Sequence, residues 1–128
     1  MSSSSRNSFR SLCFERDHNL CVWCREPATE VHHIMERRLF LDGGYDLDNG
    51  VSLCNRCHRL AESTEISCDD LRAKAGISRI VIPAHFYKDQ VYDKWGNPIL
   101  ANGLRLKGEL FHDPSVQEIL RPVLHIFT

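Results

Sequence analysis

At 128 residues and 42% hydrophobic content, the chain holds enough apolar material for one globular core, which excludes a disulfide-held miniprotein and a disordered tail. Its 16 basic and 17 acidic residues leave a net charge of -1, spread evenly along the chain, so charge alone points to no polyanionic partner, and any contact with nucleic acid must rest on a local patch or on bound cations. No apolar run nears the roughly 18 residues of a membrane helix, and the Ser-rich start MSSSSRNS lacks the apolar segment of a secretory signal, so a cytoplasmic protein with no membrane contact is expected.

In chain order, residues 1–7 read as a disordered N-terminus. Ser8 can cap a first helix over about residues 9–18, with Phe9, Leu12, Cys13 and the stem of Arg16 recurring on one inward face. Asn19 breaks that pattern. CVWCREPATE then reads as a knuckle and turn, with Pro27 stopping any regular element. EVHHIM is a short strand, LDGGYDLDNG a loop rich in turn residues, and VSL a second strand. CNRCHRLAE opens a helix. Past Ser63, SCDDLRAKAG reads as a capped helix ending at Gly76, and SRIVIP as a strand stopped by Pro83. VYDKWGNPILANG reads as a hairpin, and Asp113 with Pro114 opens a last helix over about residues 115–120. With no internal repeat and no long linker, residues 63–128 are expected to pack on the first half as an α/β extension of unknown role.

Cys21-x-x-Cys24 and Cys54-x-x-Cys57 both have zinc-knuckle spacing, in which two intervening residues let both sulfurs point into one tetrahedron. Two such pairs supply four thiolates and close a structural zinc site. Paired cysteines in a reducing compartment are more often metal ligands than disulfides. Residues 25–53 separate the pairs, so something is inserted between the two halves of the knot. Cys13 and Cys68 have no partner at ligand spacing, and Cys13 reads as a small core residue.

The insert carries His32 and His33, adjacent on the expected first strand and therefore pointing to opposite faces, and His58 follows the second knuckle directly. Histidine near neutral pH can act as a base for water or, as neutral imidazole, hold a divalent cation. Hydrolysis of a phosphodiester needs both functions. An alternative makes the same histidines additional zinc ligands. His18, His85, His112 and His125 have no evident partner and read as structural or exposed.

The run Cys21-x-x-Cys24, Glu30-Val31-His32-His33-Ile34, Asp48-Asn49-Gly50-Val51-x-Leu53-Cys54-x-x-Cys57-His58 resembles the zinc-containing branch of the HNH endonucleases, and the segment SFRSLCFERDHNLC is similar to the helix preceding the first knuckle there. The resemblance spans about residues 8–62. It implies an α+β fold with a ββα-metal, treble-clef-like core stapled by structural zinc, and the C-terminal extension packed on it. It implies that His33 is the general base, that His32 and His58 hold the catalytic divalent ion, and that Asn49 holds the loop and orients the base. It implies cleavage of nucleic acid, DNA ahead of RNA, to 5′-phosphate and 3′-hydroxyl ends, with Mg2+ or Mn2+ as the catalytic ion. Where the family often has aspartate, this chain has His32, which shifts preference toward Ni2+, Zn2+ or Mn2+. Arg37 and Arg38 form the one basic pair in the loop and are candidates for a backbone phosphate. The opposed reading is a zinc finger that binds nucleic acid or protein and cuts nothing; a homodimer or a partner subunit is compatible with either.

Overall fold

The structure is a computed structural model that describes residues 3–128, with side chains from Arg6 onward. It is of the α+β class. Helix α1 (Ser3–Arg16) leads through the first knuckle to strand β1 (Glu30–His33), a long loop, strand β2 (Gly50–Leu53) and helix α2 (Asn55–Glu62). Helix α3 (Cys68–Ala75), a small hairpin of β3 (Val91–Tyr92) and β4 (Pro98–Ile99), and helix α4 (Pro114–Ile119) complete the chain. Among the described residues no helix is long and apolar enough to cross a membrane.

The β1–β2 hairpin is the centre of the fold. The strands pair antiparallel, with His32 opposite Val51 and His33 opposite Gly50. Val51, Ser52 and Leu53 are fully buried, and Val51 and Leu53 join Ile34, Met35, Leu39, Cys57, Ala61 and Leu71 in the main core. Helix α1 lies across β2 at Gly50. A Cβ there would stand 2.4 Å from the Phe9 ring and 2.7 Å from Cys13 Sγ, so this close approach requires glycine. Arg16 ties the helix end down by donating to the carbonyls of Leu47 and Gly50, and Asp17 accepts from the Ser52 amide at 2.9 Å.

Three sequence expectations change. Helix α1 is already formed from Ser3 and ends at Arg16, because packing on Gly50 rather than a cap at Ser8 sets its extent, and left-handed His18 and Asn19 turn the chain away. Residues 1–2 of the expected disordered start lie outside the described residues. Leu12 is 47% exposed; the buried face of α1 is Phe9 and Cys13. SRIVIP forms no strand: Ile80 is exposed, and Arg79 pairs instead with Asp46 and Asp48.

A buried polar turn ties the second half to the first, through Lys94 Nζ on the His33 carbonyl and Trp95 Nε1 on the Glu62 carbonyl, and is itself held from within the second half. Asp93 accepts from the amides of Trp95 and Asn97, from Asn97 Nδ2, and from Arg105 Nη1 at 3.0 Å, and Arg105 also donates to Thr64 Oγ1. Trp95, buried among Phe111, Val116, Leu120 and Val123, is the centre of a second apolar cluster.

Candidate active site and zinc knot

The four knuckle cysteines converge. Cys21, Cys24, Cys54 and Cys57 each offer a sulfur within 4.8 Å of the others, with Cys24 and Cys54 sulfurs 3.6 Å apart. The local backbone accounts for it. Arg25 takes a left-handed conformation that folds the first knuckle back, closing it by the Cys21 amide on the Glu26 carbonyl at 2.7 Å. Cys54 caps α2, its sulfur accepting from the Cys57 amide. Backbone amides directed at sulfur favour thiolate: the Glu26 amide, with the neighbouring sulfurs, lowers the Cys24 thiol to about 7. This group can hold one zinc ion in a closed structural site.

A second group lies on the α2 side of the hairpin. His32, His58 and Glu62 offer ligand atoms within 4.8 Å of one another. His32 Nδ1 is 3.8 Å from Glu62 Oε2, and His58 Nε2 is 3.8 Å from Glu62 Oε1. His32 is 1% exposed, and neither of its ring nitrogens has a hydrogen-bond partner. Such orphaned buried atoms are costly unless something else satisfies them. Burial, with Lys94 nearby, holds His32 well below the usual histidine range and so neutral, the form that ligates metal. Two imidazoles and a carboxylate therefore fit a divalent ion with room for further ligands.

His33 points the other way, as strand alternation requires. Its ring stacks on Phe9 at 4.7 Å and meets Tyr45 edge-on at 5.4 Å. Its Nε2 is buried without a partner. Burial, with a contribution from Lys94, lowers its pKa to about 4. A cleft of about 150 Å³ opens beside the ring, lined by Arg6, Phe9, Arg10, Val31, Arg37 and Tyr45.

Asn49 touches neither cluster. It is 1% exposed; its Oδ1 accepts from the Met35 amide at 3.0 Å, and its Nδ2 donates to the carbonyls of Met35 and Gly44 at 3.1 and 3.2 Å. It clamps the end of β1 to the loop that carries Gly43. The two arginines of the loop part company: Arg37 faces the His33 cleft, whereas Arg38 is held by Glu36 at 2.5 Å and Asp113 at 3.1 Å.

Sequence reasoning missed Glu62 and Lys94. Glu62 had a legible signal, its i,i+4 spacing from His58 on one helix face. Lys94 had none, since nothing local in the sequence places residue 94 beside residues 33 and 62.

Residues 13–64 match the model of the HNH endonuclease family, on the segment that carries the resemblance and both residue groups. No curated protein and no solved structure matches the chain.

Proposed function

We propose, from the premise that residues 13–64 form an HNH endonuclease domain, that this protein is a metal-dependent endonuclease of DNA. The observation that carries the reading is the pair of orphaned imidazoles on opposite faces of one strand end: His32 among donors that fit a divalent ion, and His33 with an unpartnered Nε2 on a ring that lines an arginine-bearing cleft. In this reading β1, β2 and α2 are the ββα-metal element of a treble-clef-like core over about residues 8–62, the four cysteines hold structural Zn2+, and residues 63–128 are its extension.

His32, His58 and Glu62 would hold the catalytic ion, which when bound supplies a cationic centre for the charge developing on the leaving oxygen. The mixed imidazole and carboxylate set suits Mn2+, Ni2+ or Zn2+ as well as the family's Mg2+. His33 Nε2 takes a proton from the attacking water. A proton on Nδ1 leaves Nε2 as the acceptor. A pKa of about 4 keeps that nitrogen unprotonated at neutral pH. Asn49 orients His33 indirectly, by holding the loop at Gly44 and the strand at Met35. Arg37, with Arg6 and Arg10, offers cations to the nucleic-acid backbone at the same cleft. Arg38 is neutralised by its two carboxylates, and we assign it no phosphate.

The test incubates the protein with supercoiled plasmid, linear duplex, single-stranded DNA and RNA, each with Mg2+, Mn2+, Ni2+ or Zn2+. Cleavage of DNA is expected, falling by roughly 10²–10⁴-fold in His33→Ala with zinc content and circular dichroism unchanged. Parent-level cleavage by His33→Ala would remove the base assignment, and tight binding without cleavage under every ion would favour the non-cutting zinc module.

A further inference from the structure

Lys94 comes from the second half of the chain, outside the family match, yet lies at the centre of the candidate site. It is 4% exposed. Its Nζ donates to the His33 carbonyl at 2.9 Å, and stands 3.4 Å from Glu62 Oε2 and 3.7 Å from Glu36 Oε1. The flanking turn holds it there: the Lys94 carbonyl accepts from the Glu36 amide at 3.0 Å, and Trp95 Nε1 donates to the Glu62 carbonyl at 2.8 Å. Nζ also lies over the Trp95 ring, 4.9 Å from its centre. One short segment therefore grips the end of β1 and the end of α2, the two elements that present His33 and Glu62.

A buried ammonium is expensive unless anions compensate it. Here two carboxylates do, and one of them, Glu62, is also a donor of the candidate ion site. Ammonium and divalent ion then draw on the same carboxylate, and the two cations repel across a poorly solvated space. We infer that Lys94 is a positioning residue and resident counter-cation of the ion site: it balances Glu62 and Glu36 when no ion is bound, and it weakens divalent-ion affinity by competing for Glu62. The C-terminal half is in that case part of the site. This inference rests on the assignment of His32, His58 and Glu62 as the ion site.

The experiment measures Mn2+ binding by calorimetry on the zinc-loaded full chain, for the parent, Lys94→Gln and Lys94→Arg, with His58→Ala to identify the site. Glutamine keeps a donor for the His33 carbonyl and removes the charge; arginine keeps the charge. Lys94→Gln is expected to melt at lower temperature without Mn2+, yet to bind Mn2+ on the order of tenfold more tightly, while Lys94→Arg stays near the parent. A purely structural lysine would lower the melting temperature and leave affinity unchanged, and unchanged or weaker binding in Lys94→Gln overturns the inference. If Lys94→Gln does not fold, Lys94→Met removes the charge with the stem's length kept, at the further loss of the donor to the His33 carbonyl. If the parent binds no Mn2+ that His58→Ala removes, the ion-site assignment itself fails, and the role of Lys94 with it.

Discussion

Asn49 offers the sharpest test of how the site is held. Replacing it with alanine deletes the acceptor for the Met35 amide and the donors to the carbonyls of Met35 and Gly44. All three backbone groups belong to buried residues, so they are left unpaired away from solvent. At about 1 kcal/mol for each net hydrogen bond, and somewhat more where a buried partner is orphaned, the loss comes to about 3 kcal/mol. That is a large part of the roughly 5–15 kcal/mol by which domains are stable. Urea unfolding at saturating zinc should show it as a midpoint lowered by roughly 1–3 M at the usual slope for small proteins. Asn49→Asp should fare no better, because its carboxylate keeps the Met35 amide but faces two carbonyls. Cleavage should fall in both variants, since Asn49 holds the chain just past His33 at Met35 and the loop at Gly44. A midpoint shift equivalent to less than about 1 kcal/mol in Asn49→Ala would refute the view that these bonds carry the loop.

Elemental analysis should find one zinc per chain that Cys57→Ser loses, and strong chelators should unfold the N-terminal half, as the four sulfurs have no other reason to gather. Cys13 and Cys68 are buried, and burial pushes both thiols up to about 12, so mass spectrometry after iodoacetamide at pH 8 should find neither labelled in the native protein. These thiols are neutral in the fold but ionise near pH 9 once unfolded. Their contribution to stability is therefore complete below pH 9 and is lost as pH rises from there toward 12, which denaturation at pH 8 and pH 10.5 would register. Asp93→Ala leaves Arg105 buried without its carboxylate and unties the 93–97 turn; a loss of about 3–5 kcal/mol is expected from thermal unfolding, and little change would show that the turn is not what joins the two halves.

The sequence by itself determined the parts that depend on local spacing. Each Cys-x-x-Cys pair is close-range geometry; the two pairs meet because the hairpin between them returns the chain from one knuckle to the other. The alternation of His32 and His33 follows from strand periodicity, and the structure keeps it, with His32 toward His58 and His33 toward Phe9 and Tyr45. The caps at Asp113 and Gly76 likewise follow from residue type. Where the outcome depended on a distant partner, local signals misled: SRIVIP has strand composition but pairs with no strand, and Leu12 has helical spacing but stands half exposed. The tertiary structure alone decided that Arg38 is spent on Glu36 and Asp113, that Glu62 completes the His32–His58 group, and that Lys94 lies between Glu62 and the His33 carbonyl. Ligand spacing and strand alternation are set by bonds a few residues apart. A buried ammonium's position is set by which anions the rest of the fold brings within reach, and here those come from β1's end and α2, roughly 30 to 60 residues earlier in the chain.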